Sequence, residues 1–460
     1  MMLSNASETR LAVWTGAAGL VAGAVLVGAI AVVGLHRPAT AARDELTELA
    51  PNPAAVHYRH AIDVASDAEA QGADAIVALE ARVQAMPSPF DDAELAELYF
   101  RRAQQDGDPA DYQLSEARAR RSLDALASPN PAVLTLARLA DARHDFRAAI
   151  ELAHRYQGRA AGARIIVATA QLALGELAEA SEAADAALAI KPDTGGYLMR
   201  ALIRQAQGRD AEAGADFARA ARAEEPGDLQ GAARLRALWG RFLLRRGQAA
   251  GAARVLDEAL RIVPGHALAT AMSGELALRT GHPGEAARRF EQAFIASRQV
   301  RYLIDQARAT QLAGDAATAG ALRDQVERLV RGELGAGGLG HRLDLAEVLI
   351  DRGRPADLAE AVALARDEVA RRTSWEARFQ LARGLARSRA RGDADQAERQ
   401  VQAALASGAR EAPLYELAAR LAARHGDPAT AALYTHLADR LDPSGSAGRS
   451  GWRGLGLELP

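Results

Sequence analysis

Residues 267–300 read ALATAMSGELALRTGHPGEAARRFEQAFIASRQV, and this stretch decides the fold. Gly274 lies in the middle of its first apolar-periodic segment, where a small residue lets a second helix approach closely. Gly281 follows that segment, and glycine accepts the left-handed conformation that ends many helices. In the second segment Ala286 and Phe290 are four residues apart, so they share one helix face. The stretch therefore predicts two short helices joined by a tight turn.

The glycine that ends the first segment recurs along the chain at intervals of 33 to 39 residues. The recurring glycines are Gly175, Gly208, Gly247, Gly281, Gly314, Gly353, Gly392 and Gly426. Repetition at such a period is typical of an α-solenoid, in which each helix pair packs mainly on its neighbours. The alternative is an ordinary bundle of amphipathic helices, which the regular spacing disfavours. We expect the chain to work through an extended surface, as solenoids do.

The unit resembles the tetratricopeptide repeat (TPR), whose signature has a glycine in the first helix, Ala-x3-Phe in the second and a closing proline. Gly274, Ala286 and Phe290 match that signature, and eight copies of the unit cover residues 161–443. Residues 55–160 hold more degenerate helix pairs. The resemblance implies an all-α, tetratricopeptide-type α-solenoid like those of bacterial membrane-anchored TPR proteins.

An uncharged stretch of 25 residues at 11–35 precedes the repeats and follows a short tail at 1–10. A helix of this length crosses a bilayer, so we expect one N-terminal transmembrane helix followed by a linker at 36–54. The alternative is a secretory signal cleaved near Ala39 and Ala41, although signal cores usually span only about 7–15 residues. Flanking arginines are too evenly placed to fix the orientation. We expect a single-pass protein of a bacterial inner membrane with a periplasmic soluble domain, and small residues in the span would allow a homo-oligomer.

Composition excludes several classes of chemistry. The chain has no cysteine, which excludes disulfides, zinc ribbons and thiol nucleophiles, and its net charge of −3 offers no basic field to nucleic acid. His57 and His60 lie three residues apart, but no neighbouring ligands complete a metal site. The glycine-rich stretch at 335–340 lacks the Lys-Ser/Thr pair of a phosphate-binding loop. We expect no cofactor, no metal, no nucleic-acid ligand and no enzymatic activity.

Six arginines are predicted to line the concave groove, on the first helices of three successive repeats. They are Arg234, Arg241, Arg245, Arg279, Arg301 and Arg308. Apolar side chains are expected to alternate with them, namely Ala237, Leu244, Leu278 and Ile304. Arginine holds a carboxylate by two hydrogen bonds, so the groove suits an acidic peptide or a C-terminal carboxylate. The carboxylate clamp of chaperone-binding TPR domains also needs asparagines, which these helices lack, so a heat-shock chaperone is not the expected partner. The alternative is that the arginines only keep an exposed surface soluble.

The tail at 444–460 is rich in Gly and Ser, a composition typical of flexible segments, yet it carries apolar residues such as Trp452 and Leu455. It either covers the last helix pair or contacts a partner. Together these features predict a membrane-anchored protein–protein interaction scaffold that binds a peptide or protein partner in its concave groove. The alternative function is a structural spacer or a homo-oligomerising envelope protein without a groove ligand.

Overall fold

The computed structural model describes residues 74–442 apart from short gaps. The gaps are residues 128, 159, 226, 336–339 and 389. All described residues belong to one compact unit, Asn52–Pro460. The expected transmembrane helix at 11–35, its linker and the tail at 444–460 lie outside the described residues. Among the helices of the described part, none is both long and apolar enough to cross a membrane.

The described residues form twenty-one helices and no strand. The first ten are α1 (74–85), α2 (Pro89–Asp106), α3 (Pro109–Ala125), α4 (Ala132–Ala142), α5 (Phe146–Arg155), α6 (Ala161–Leu174), α7 (Leu177–Ile190), α8 (Thr194–Ala206), α9 (Asp210–Arg222) and α10 (Leu229–Leu244). The others are α11 (Ala249–Ile262), α12 (Ala267–Arg279), α13 (Pro283–Ser297), α14 (Val300–Leu312), α15 (Ala316–Gly335), α16 (Arg342–Arg352), α17 (Pro355–Arg371), α18 (Trp375–Arg387), α19 (Asp393–Ala406), α20 (Ala412–Arg424) and α21 (Pro428–Leu441).

From α2 onwards the helices pair in chain order, α2 with α3, α4 with α5, and so on to α20 with α21. We call the even-numbered member of each pair its first helix and the odd-numbered member its second helix. Each pair also packs on the next pair. The architecture is therefore a TPR-like helical repeat, as the sequence predicts.

The turns inside the pairs depend on the recurring glycines. All eight have φ between 70° and 97°, a region that other residues enter only at a steric cost. Several second helices then begin with a proline, for example Pro283 in α13 and Pro428 in α21. Proline suits this position because the first turn of a helix leaves its N–H groups unpaired. Glycine and proline together thus set where each first helix ends and each second helix begins.

The core between the helices of a pair is built from small residues facing larger ones. Ala286 and Ala293 of α13 are fully buried, and Phe290 between them is 2% exposed. A Cβ atom added at Gly274 of α12 would lie 3.2 Å from the Phe290 ring and 3.1 Å from the Cβ of Arg289. The predicted role of Gly274, close approach of the two helices, is confirmed.

The first helices lie on the concave side of the solenoid. Each first helix contacts the next first helix as well as its own partner, as α10 and α12 do. Charged side chains also meet across three first helices, because Arg308 of α14 and Arg383 of α18 both contact Asp351 of α16. The first helices therefore share one continuous face of the solenoid.

The second superhelical turn lies against the first. Turns inside the early pairs contact the connections about five pairs further along the chain. We call these contacts the seam. One side of the seam comprises Gly107, His144, Leu174, Gly208, Arg245, Arg246 and Arg279, and the other comprises Ser297, His341, Thr373, Gly408, Arg410, Glu411 and Asp442. The seam brings together residues that the repeat pattern does not relate.

Candidate partner-binding surface

The structure places the six predicted arginines on three successive first helices. Arg234 and Arg241 belong to α10 and Arg245 caps that helix. Arg279 ends α12, and the other two arginines lie in α14. Burial and then the guanidinium of Arg245 lower the pKa of Arg241. Burial acts in the same direction on Arg245, but carboxylates, Glu411 foremost, raise its pKa overall, against the charge of Arg301 as well. These arginines lie on the face that the first helices α10, α12, α14, α16 and α18 share. We call this face the inner surface.

Arg308 lies in a buried ion network instead of facing an open groove. Its side chain is 5% exposed and pairs with Glu347 and, at 3.5 Å, with Asp351 of α16. Arg383 of α18 donates a 2.6 Å hydrogen bond to Asp351 from the other side. Burial lowers the pKa of Arg308 to about 10, which leaves it charged at neutral pH. Arg308 therefore stabilises the packing of α14, α16 and α18.

Arg301 belongs to the same network but keeps contact with solvent. It donates a 2.6 Å hydrogen bond to Glu347 and a 2.8 Å hydrogen bond to Asp305, while 38% of its side chain stays exposed. Burial alone would lower the pKa of Arg301, but the neighbouring carboxylates raise it overall. Its charge is thus already matched within the protein.

Arg245 and Arg279 connect the inner surface to the seam. Arg245 forms a 3.4 Å ion pair with Glu411, and its guanidinium lies 6.0 Å from the ring centre of Trp375. Arg279 pairs with Glu275 of its own helix at 2.8 Å and with Asp442 at 3.7 Å. Both arginines therefore hold the two superhelical turns together.

Arg234 and Arg241 differ from the other four arginines. Neither forms an ion pair with a carboxylate in the described part of the chain, and the Nε of Arg241 is buried without a hydrogen-bond partner. Burial and the nearby Arg245 lower the pKa of Arg241 to about 10. Arg234 is exposed and lies two helical turns away on the same face of α10. These two guanidinium groups are therefore inner-surface cations without an ion pair among the described residues, although Glu275 acts on Arg241 and Arg234 acts on Asp141 through their charges.

Polar groups from other helices surround this pair of arginines. Burial raises the pKa of Asp141 in α4 to about 6, while Arg234 opposes that change. Burial also raises the pKa of Tyr302 to about 12, and both Arg234 and Arg241 act against it. His266 next to α12 has its pKa lowered to about 4, by burial and then by Arg234. The neighbourhood therefore contains one acid that is partly neutralised near pH 6, beside two cations without an ion pair in the described residues.

The apolar side chains that were expected to alternate with the arginines do not lie on the inner surface as a set. Ala237, Leu244 and Ile304 are at most 2% exposed and pack inside the repeat core, while Leu278 is only partly buried. The expectation was wrong for these three because the helix face next to the arginines is the face that packs on neighbouring helices. The inner surface is consequently polar.

Sequence reasoning missed the acids that match the arginines. Arg241, Glu275, Arg308 and Glu347 each lie six residues before a recurring glycine, on successive first helices. Their charges alternate in sign along the solenoid. Glu347 forms an ion pair with Arg308, whereas Glu275 pairs with Arg279 and acts on Arg241 only through its charge. Aligning the repeats on their glycines would have revealed this alternation. The contacts with Glu411 and Asp442 had no such signal, because they depend on the superhelical pitch.

The second candidate contact, Trp452 and Leu455 in the tail, lies outside the described residues. No group of three or more His, Asp or Glu side chains in the described part could hold a metal ion. His57 and His60 are also outside the described residues.

Comparisons with known proteins give likenesses to solved helical-repeat structures. No protein-family description matches the chain, and no curated protein matches it. It is similar to human IFIT1, solved as a dimer with PPP-AAAA, at 14% identity and a TM-score of 0.46, covering 86% of this chain and 93% of that one. It is also similar to yeast Tom70, at 11% identity and a TM-score of 0.38, covering 87% of this chain and 96% of that one. A third likeness is to PilF of Pseudomonas aeruginosa, at 17% identity and a TM-score of 0.26, covering 64% of this chain and 97% of that one. Likenesses at these TM-scores carry no argument about the ligand of this chain.

Proposed function

We propose that the chain is a membrane-anchored scaffold that holds a protein partner on its inner surface and acts by binding instead of catalysis. The observation that supports this most is the contrast among the inner arginines. Arg245, Arg279, Arg301 and Arg308 form ion pairs with acids of the chain itself, whereas Arg234 and Arg241 of α10 form none in the described residues. Unmatched charge on a concave surface is suited to a ligand of opposite sign.

A carboxylate of a peptide is the proposed ligand group at Arg234 and Arg241. Leaving the buried Nε of Arg241 without a partner is costly, and a carboxylate would accept two parallel hydrogen bonds from the edge of the planar guanidinium. The two arginines are seven residues apart, which separates their Cα atoms by about 10 Å along the helix axis. That distance suits two carboxylates of an extended peptide, or one side-chain carboxylate and a C-terminal carboxylate.

The anchor is proposed to be the apolar stretch at 11–35, in a bacterial inner membrane with the repeats in the periplasm. Deleting residues 1–38 should move the protein from the membrane fraction to the soluble fraction with its helical circular dichroism intact. Protease added to spheroplasts should digest the repeats of the full-length chain. Retention of the deleted form in membranes would contradict the anchor, and protection from protease would contradict the periplasmic placement.

The ligand proposal is tested with four fluorescein-labelled octapeptides. They are (Glu-Leu)4 and (Gln-Leu)4, each with either a free or an amidated C-terminus. Fluorescence anisotropy is measured with the wild type, with the double variant Arg234→Gln/Arg241→Gln, and with Arg254→Gln/Arg261→Gln as a matched control. Arg254 and Arg261 are exposed, have the same spacing of seven residues and belong to α11, the second helix of the same repeat.

We expect the carboxylate-bearing peptides to bind the wild type and the control, and to lose at least tenfold in affinity for the Arg234→Gln/Arg241→Gln variant. Binding of amidated (Glu-Leu)4 would identify side-chain carboxylates as the recognised group, and binding of free (Gln-Leu)4 would identify the C-terminal carboxylate. Equal affinity of the two double variants, or binding of no peptide, would contradict the proposal and favour the spacer function. Arg308 is left unchanged because its replacement would break the buried network.

A further inference from the structure

The contacts across the seam are polar and partly accessible to solvent. Arg246 donates a 2.9 Å hydrogen bond to the carbonyl oxygen of Arg410, and Arg245 pairs with Glu411 at 3.4 Å. Asp210 lies between the two turns, 2.9 Å from Arg246 and 3.7 Å from Arg410. The side chains of Arg245, Arg410 and Asp210 remain between 27% and 29% exposed. Salt in solution therefore reaches and screens the charges of these three side chains, while their partners Glu411 and Arg246 are only 9% and 6% exposed.

The interfaces between neighbouring repeats are of a different kind. In the cluster that joins α15 to α16, Val326, Val330 and Leu349 are fully buried among other apolar side chains. Burial of apolar surface does not depend on the attraction of charges, so screening leaves it in place. A rise in salt concentration thus weakens the seam more than it weakens the repeat interfaces.

At Gly175 and Gly208 the seam is a close contact of backbones, whereas at His144 and His341 side chains pack across it. The N–H of Thr373 donates a 2.9 Å hydrogen bond to the carbonyl oxygen of Leu174. A Cβ atom at Gly175 would lie 2.9 Å from the backbone nitrogen of Ser374, and one at Gly208 would lie 2.7 Å from the carbonyl oxygen of Gly408. Separation at these points removes few van der Waals contacts, because glycine has no side chain to withdraw.

We propose that the seam is a polar closure of the superhelix, which opens while the repeats on both sides stay folded. On opening, one superhelical turn moves away from the other. Each helix pair between the two contact points stays folded and rotates slightly relative to the next pair. Arg245 belongs to both the seam and the inner surface, so opening releases it from Glu411 and adds a third cation to Arg234 and Arg241. The response of the seam to salt does not rest on the proposed ligand, because the contacts that close the seam belong to the chain itself.

The chain has no native cysteine, so pairs of spin labels can be placed without background. One pair, Glu176→Cys/Thr373→Cys, spans the seam, since Glu176 adjoins Gly175 and Thr373 is exposed. The matched control pair, Arg254→Cys/Arg288→Cys, lies on the exposed faces of the neighbouring second helices α11 and α13. Distances are measured by double electron–electron resonance at low salt and at about 1 M NaCl, where the screening length is about 3 Å. Circular dichroism checks that helicity is retained.

We expect a longer distance to appear at high salt for the seam pair, with no change for the control pair. In a second arm at low salt, Glu411→Gln should also populate the longer distance, because it removes the ion pair with Arg245. Glu360→Gln, which removes the exposed pair with Arg331, should not. A single short distance for the seam pair under all these conditions would overturn the proposal. Equal lengthening of both pairs would overturn it as well, since that result indicates general loosening of the solenoid.

Discussion

The N–H of Thr373 donates a 2.9 Å hydrogen bond to the carbonyl oxygen of Leu174, although 199 residues separate them. A solenoid whose repeats touched only their neighbours would have no such bond. Gly175 follows Leu174 and passes so close to the backbone of Thr373 that no side chain fits between them. A glycine that recurs for reasons of helix termination has thus acquired a second role at this turn, in the contact between superhelical turns.

The second role of Gly175 predicts different effects of alanine at two similar glycines. Gly175 and Gly281 both have a φ of +84°, so alanine at either position should cost about 1 kcal/mol of folding free energy from the left-handed backbone. A Cβ atom at Gly281 meets nothing within 4 Å, whereas one at Gly175 lies 2.9 Å from the nitrogen of Ser374. We expect Gly175→Ala to lower the melting temperature more than Gly281→Ala does. Equal melting temperatures of the two variants would show that the contact with Ser374 contributes little.

Packing within a helix pair predicts that substitutions at two helical glycines change the folding stability in opposite directions. Gly274→Leu should destabilise by about 1–3 kcal/mol or more, because the side chain would enter the contact with Phe290 and Arg289. Gly320→Ala in α15 should stabilise by about 0.5–1 kcal/mol, since a Cβ atom there meets nothing within 4 Å and alanine favours helix. Urea unfolding monitored by circular dichroism measures both. An unchanged curve for Gly274→Leu would contradict the close contact of α12 with α13.

Local rules accounted for most of the helix pattern in the described residues. Apolar periodicity and glycine spacing located the helix pairs, because each pair is specified by residues within about 35 positions of one another. Gly274 and Phe290 illustrate this, since their contact follows from the repeat unit alone. Glu347, which pairs with Arg308, also lies at the equivalent position of the next repeat, so a closer alignment of the repeats would have found it.

The seam could not be predicted from the sequence. Whether Arg245 reaches Glu411 depends on the superhelical pitch, which sums small rotations over about five helix pairs. An error of a few degrees at each interface would separate the two residues. The same limit partly explains why the sequence predicted a basic groove, since the ion partner of Arg245 and the second ion partner of Arg279 come from the other superhelical turn.

Because the charge network is buried, we expect replacement of Glu347 to lower the folding stability strongly. Replacement of the exposed Glu360 should lower it only slightly. Glu347 is 3% exposed and accepts hydrogen bonds from Arg301, Arg308 and Gln380. Removing a buried ion partner leaves an uncompensated charge and typically costs about 3–5 kcal/mol, so Glu347→Ala should be severely destabilised. Glu360→Ala removes an exposed pair, which is typically worth about 0–1 kcal/mol. Similar urea midpoints for the two variants would contradict the importance of the buried network.

The histidines of the seam predict weakening at acid pH. Burial, together with His341 and Arg372, lowers the pKa of His144 to about 4, although Glu333 acts in the opposite direction. A histidine whose folded-state pKa is lowered loses stability as the pH falls below its unfolded value of about 6.5, down to the folded value. The pKa of His341 is raised by its hydrogen bond with Glu333, so its contribution is full at low pH and is lost as the pH rises above that unfolded value. The two effects oppose each other, and the large shift at His144 should dominate towards pH 4.

The measurement is the distance between spin labels in the Glu176→Cys/Thr373→Cys pair, from pH 7 to pH 4 at constant low salt. We expect the longer distance to become populated as the pH falls, and His144→Asn to suppress that change. Asparagine does not titrate and tolerates the left-handed backbone of this residue, whose φ is 62°. The buried His266, which also has a pKa of about 4, lies away from the seam and serves as the control through His266→Asn. If the pH dependence persists in His144→Asn and disappears in His266→Asn, the acid response originates on the inner surface and not at the seam.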